Sequence, residues 1–126
     1  MKKPEEDKLT SYMKENTIGL ILGDLEWTEF SGLYVDGCKI GVQITYGKRI
    51  QFAGSMFDVS ITDCSLGIDV VELDERWGMV IANSVIEGGI NNATDGLIKL
   101  CGVTVSGDMS GNIEAYSDDT DRKSVV

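Results

Sequence analysis

The chain has 126 residues, 42% hydrophobic and 25% charged, with a formal net charge of −10 and no histidine. That length sets one domain at most and suffices to bury a sizeable core. The acidic balance disfavours nucleic-acid partners and anionic membrane surfaces, and without histidine the usual neutral-pH general base and the usual zinc ligand are missing.

Residues 1–16 are polar and charged, with Leu9, Tyr12 and Met13 at helical spacing. Pro4 and the acidic Glu5-Glu6-Asp7 suit a helix N-terminus. The pattern predicts a short amphipathic helix around 5–15, a cap for the first coil of whatever follows. Met1-Lys2-Lys3 leads into that acidic run, where a signal peptide needs an apolar core, and no run approaches membrane-span length. The chain as given is therefore expected to be soluble, with no compartment assigned.

From residue 17 the chain repeats itself. Ile18-Gly19-Leu20-Ile21-Leu22, Ile40-Gly41-Val42-Gln43-Ile44 and Leu66-Gly67-Ile68-Asp69-Val70 share one frame, spaced by 22 and then 26 residues. A second frame follows each: Phe30 to Cys38, Met56 to Cys64, a looser copy from Ile81 to Gly89 and a fourth from Leu100 to Asp108. Apolar residues stand at positions 1, 4 and 6 of this frame, with a turn at 7–9. The step from 4 to 6 is the alternation of a half-buried strand.

No helical pattern separates the copies, and tight hairpin signals are missing, so βαβ and antiparallel-sandwich readings are disfavoured. Units of this length with short strands and Gly/Asp turns fit an all-β parallel β-helix. The count is four full coils and a partial one at Asn112 to Tyr116, hence four to five coils over 17–117.

Stacking predicts ladders about 4.8 Å per step: Ile18/Ile40/Leu66, Leu22/Ile44/Val70, Leu33/Val59 and Val35/Ile61/Val105. Gly19, Gly41 and Gly67 are expected at one bend that excludes a side chain. Cys38 and Cys64 are expected to stack as free thiols. With Cys101 they make an odd number of cysteines and no CxxC pair. Residues 118–126 form a charged tail whose acids match no calcium loop. Open coil edges favour pairing with a second copy, so a homo-oligomer is a candidate state.

Three segments carry a resemblance: Gly23-Asp24-Leu25-Glu26-Trp27-Thr28-Glu29-Phe30, Gly37-Cys38-Lys39-Ile40-Gly41-Val42 and Asp74-Glu75-Arg76-Trp77-Gly78-Met79. Over about residues 17–110 the chain resembles the pectate-lyase-like (glycosyl hydrolase family 28-related) right-handed β-helix proteins. The resemblance implies a right-handed coil, a polysaccharide or oligosaccharide partner, and a secreted or phage-structural parent of which this chain is a short or partial section. It also implies two chemistries to look for: Ca²⁺-assisted lyase action, or a glycosidase carboxylate pair.

The residues themselves offer little for either. The row Gln43/Asp69 holds one acid. Asp36, Thr62, Glu87 and Ser106 hold two acids, two coil steps apart, about 9–10 Å, near the upper limit for an inverting pair. No catalytic residue is assigned, no metal site, and no cofactor beyond Ca²⁺ as an option. The richest polar turns hold Lys48 and Arg49, then Glu72, Asp74, Glu75 and Arg76. Trp27, Phe52 and Trp77 occupy comparable places just before the copied strand.

Aromatic faces beside charged groups make a sugar-binding wall, with Trp27, Arg49, Asp74, Arg76 and Trp77 as candidates. The competing expectation is corner packing, with Lys48 and Arg49 paired to Glu72, Asp74 and Glu75. Three functions therefore stand: a carbohydrate-binding or scaffolding module, a fragment of a polysaccharide lyase or glycoside hydrolase, and a self-assembly module.

Overall fold

The computed structural model describes residues 4–116. One helix, α1 (Pro4–Asn16), precedes a parallel β-solenoid of about four turns. Three strands make each coil. The first coil is β1 (Ile18–Leu22), β2 (Glu26–Ser31) and β3 (Tyr34–Asp36). The second is β4 (Ile40–Ile44), β5 (Ala53–Phe57) and β6 (Ser60–Thr62). The third is β7 (Leu66–Val70), β8 (Met79–Ala82) and β9 (Val85–Glu87). The fourth is β10 (Ile90–Asn92), β11 (Ile98–Cys101) and β12 (Thr104–Ser106). A partial coil follows with β13 (Met109–Ser110) and β14 (Ile113–Tyr116). Equivalent strands pair in parallel into three sheets, β1-β4-β7-β10-β13, β2-β5-β8-β11-β14 and β3-β6-β9-β12.

Each coil is short, so its corners must be tight. Two of them use the left-handed backbone region every time. After the second strand come Gly32, Asp58, Asn83 and Gly102, and after the third come Gly37, Asp63, Gly88 and Gly107, all at φ between 51° and 106°. Glycine reaches this region freely, and Asp and Asn tolerate it better than other side chains. The repeated Gly/Asp/Asn turns therefore keep these two corners alike from coil to coil, while coil length varies with the loop between the first and second strands.

The register aligns the apolar positions into ladders. Leu20–Val42–Ile68–Ile90–Met109, Phe30–Met56–Ile81–Leu100–Ala115 and Val35–Ile61–Ile86–Val105 each run through the stack. Val105 thus stands on Ile86, with Ile61 one coil further away. The expected Ile18/Ile40/Leu66 and Leu22/Ile44/Val70 ladders form in register. The central rungs Ile44, Met56, Ile61, Ile68, Ile81, Ile86 and Leu100 are fully buried. Gly19, Gly41 and Gly67 do share a bend, and the reason is space. A Cβ on Gly41 would lie 2.6 Å from both the Gly67 carbonyl oxygen and Ile61 Cγ2.

The first-sheet strand of the fourth coil, β10, carries Asn91 and Asn92 where earlier copies carry Asp69 and Val70. Both belong to this strand. Asn92 points inward and is buried. Its Nδ2 donates to the carbonyls of Gly96 and Asn112, and its Oδ1 accepts from Thr94 N and Oγ1. Every polar atom of the amide is thereby engaged, which is the condition for an amide to replace an aliphatic rung.

Cys38 and Cys64 are buried free thiols, and burial pushes the Cys64 thiol up. Helix α1 meets the coils through its last turn. Thr17 N donates to Met13 O, Lys14 Nζ lies 2.6 Å from Asp63 Oδ1, and Ser65 Oγ donates to the Lys14 carbonyl. Leu9 and Tyr12 remain largely exposed. Leu20, Leu25, Phe30 and Leu33 of the first coil are only partly buried. The tail at 118–126, including its acids, lies outside the described residues.

Candidate functional site

Trp27 interrupts β2. The pairing with β5 runs Glu26↔Ala53 and then Thr28↔Gly54, so Trp27 is the extra residue of a bulge. Its φ is +56°. Among the described residues it is the one residue other than Gly, Asp or Asn in the left-handed region. That conformation costs roughly 1–2 kcal/mol for an L-residue with a Cβ. The bulge turns the indole outward, 63% exposed.

Trp77 arrives from two coils further along. The turn 74–77 that carries it is built by the buried Asp74. Asp74 N donates to the Phe52 carbonyl, and Asp74 Oδ1 accepts from the backbone N–H groups of Arg76 and Trp77, at 2.8 and 3.1 Å. Arg76 Nη2 reaches Asp74 Oδ2 at 3.4 Å. Burial pushes the Asp74 carboxyl up, but these N–H donors and the guanidinium together hold it below its ordinary value. Asp74 therefore acts through Trp77, as the group that aims it.

The two indoles meet on the outer face of the second sheet, with ring centroids 4.8 Å apart and planes tilted by 57°. The intervening coil offers Gly54 beside them. A Cβ on Gly54 would lie 2.3 Å from the Thr28 carbonyl oxygen. Phe52, expected to sit beside the tryptophans, is fully buried inside the coil. The outcome is an open groove of about 130 Å³ lined by both indoles, Thr28, Glu29, Gly54, Ser55, Gly78 and Val80.

Of the five candidate residues, then, Trp27 and Trp77 come together, with Asp74 and Arg76 in the turn that positions the latter. Arg49 goes elsewhere. The loop 47–50 is pinned by Asp24, whose Oδ1 accepts from Arg49 N and Ile50 N. Backbone N–H donation from Arg49, Lys48 and Ile50 pushes the Asp24 carboxyl down to about 2. Arg49 lines a separate shallow groove with Lys48, Gln51 and Glu72. The expected pairing of Lys48 and Arg49 with Glu72, Asp74 and Glu75 does not form. The ion pairs among the described residues are Lys14–Asp63 and Arg76–Asp74.

Glu29, Gly54 and Ser55 were missed as site residues. Glu29 is two positions beyond Trp27, on the same outward parity. Gly54 shows only once Thr28 and Gly54 are put in register.

In the row weighed for hydrolysis, Thr62 Oγ1 donates to Asp36 Oδ1 at 2.6 Å, and Asp63 N donates to Glu87 Oε1 at 2.8 Å. Both acids thus serve the coil corners. No three His, Cys, Asp or Glu side chains gather as a metal-binding group among the described residues. Comparison with protein-family models, with curated proteins and with solved structures finds no match.

Proposed function

We propose that the chain is a carbohydrate-binding β-helix module of a polysaccharide-processing system, a short relative of the pectate-lyase-like right-handed β-helix proteins. The observation that carries this is Trp27. A bulky residue is held at φ +56° in a strand bulge, and the result is an exposed indole set against a second exposed indole. Backbone strain of this kind clusters where a side chain must be presented to a ligand. Flat, exposed rings stack on the apolar faces of sugars, and nearby hydroxyls and carboxylates take the sugar hydroxyls.

A glycan array with the whole chain tests this. Binding is expected, and Trp27→Ala or Trp77→Ala is expected to weaken it at least tenfold while circular dichroism stays unchanged. Uniform silence across the array, or binding that survives both substitutions, contradicts it. The lyase or hydrolase alternative has less support, because the acids of the Asp36 and Glu87 row already accept internal hydrogen bonds.

End-to-end assembly is favoured by one observation, the half-buried apolar residues Leu20, Leu25, Phe30 and Leu33 on the first coil. Against it stands the outward row Glu29–Ser55–Val80–Lys99–Glu114. Continued register between two copies would set Glu114 of one against Glu29 of the next, a like-charge contact. Light scattering that shows a defined oligomer without glycan binding would favour assembly.

A further inference from the structure

We infer that the Trp27–Trp77 groove selects neutral sugars and rejects uronates. This rests on the carbohydrate-binding proposal and adds the substrate class.

The inference comes from the groove's one ionisable lining residue, Glu29. Its carboxylate is exposed and has neither a hydrogen bond nor an ion pair among the described residues. It stands two residues beyond the bulged Trp27, with Ser55 as its neighbour in register. A sugar stacked on the indoles brings hydroxyl groups to this edge. Hydroxyl donors to a carboxylate make charge-assisted bonds, stronger than neutral ones. A sugar carboxylate brought to the same edge meets a like charge instead.

The cations nearby do not reverse that sign. Arg76 is next to Trp77 in the chain, but its guanidinium is paired with Asp74 at 3.4 Å. In the outward row, Lys99 is three strand steps from Glu29. Three steps are about 14 Å, beyond the roughly 8 Å screening length at physiological salt. Lys48 and Arg49 line another groove. Lys99 is also one strand step from Val80 at the far end of the groove, so Glu29 sets the field at the Trp27 end of the platform, within a chain of net charge −10.

Calorimetric titration of the whole chain tests this, with neutral hexose oligosaccharides and oligouronates of matched length. Neutral oligosaccharides are expected to bind at least tenfold more tightly at low salt. Glu29→Gln is expected to narrow that gap several-fold, chiefly by raising uronate affinity, and added salt is expected to narrow it in the wild type. Oligouronates that bind as tightly as neutral sugars, in a manner lost in Trp77→Ala, would overturn the neutral-sugar inference and leave the platform standing. A gap unchanged in Glu29→Gln would overturn the role of Glu29. Failure of both sugar classes to bind would overturn the platform itself and the inference with it.

Discussion

The outer faces of the first and second sheets belong to the same coils, share the same parallel ladder and differ in what their side chains do. On the first sheet, Gln43, Asp69, Asn91 and Ser110 form one outward row. Gln43 Nε2 and Asn91 Nδ2 each donate to Asp69, at 3.1 and 3.0 Å, and Ser110 Oγ donates to Asn91 Oδ1 at 2.7 Å. That face satisfies its polar groups internally. On the second sheet the strand is bulged, two indoles are exposed and Glu29 has no partner among the described residues. Side chains that close on one another clamp neighbouring coils together. Side chains left open, at a cost in backbone strain, are available to something else. The two faces of this solenoid thus differ in whether their side chains close on one another, and the open face is the one whose backbone is bulged.

That contrast can be broken or sharpened by substitution. The interior serves both faces, so Ile81→Ala, at a fully buried rung, is expected to destabilise by about 2–5 kcal/mol. Urea unfolding measures the loss, and glycan binding should fall in step with the folded fraction. Asp69→Ala strips the acceptor from two amides on the first sheet. It is expected to cost about 1–2 kcal/mol in the same unfolding experiment and to leave glycan affinity unchanged. An affinity change there would blur the distinction between the faces.

Trp27 offers a finer cut. In an ordinary strand position glycine is less stable than alanine, but at φ +56° the order should invert. Trp27→Gly is expected to be more stable than Trp27→Ala by about 1 kcal/mol, with both variants losing glycan binding. The smallest effect concerns Asp24. Its carboxyl is lowered from 3.8 to about 2 in the folded chain. A group whose folded pKa is depressed stabilises above its unfolded pKa. Its contribution should be complete above about 3.8 and fade as the pH falls toward about 2. Asp24→Asn should flatten the stability profile across that window in acid unfolding scans.

Much of the coil was legible in the sequence because its corners and rungs recur. Phe30, Met56, Ile81 and Leu100 head their copies in the chain and stack in register in the fold. The turns at Gly37, Asp63, Gly88 and Gly107 use residue types that the left-handed backbone admits. Where a copy changes chemistry the signal fails. Asn91 and Asn92 hid the fourth first-sheet strand because an inward asparagine reads as a turn unless its hydrogen-bond partners are known. The tryptophans were visible as aromatics ahead of a copied strand. Their meeting was not, because Phe52 holds a comparable place ahead of its copied strand and yet turns inward, while both tryptophans stay exposed. Where Arg49 goes was not legible, because a charged loop carries no periodicity and Asp24 fixes its place beside a separate groove.

The most direct test watches both faces at once. Gln43 and Asn91 carry side-chain amides on the first sheet, and Trp27 and Trp77 carry indole N–H groups on the second. In a ¹H–¹⁵N titration of the whole chain with a neutral oligosaccharide, both indole resonances should move and saturate together while the Gln43 and Asn91 amide resonances stay in place. Movement of the amides with the indoles fixed, or no movement of either set, would contradict a recognition surface on the second sheet.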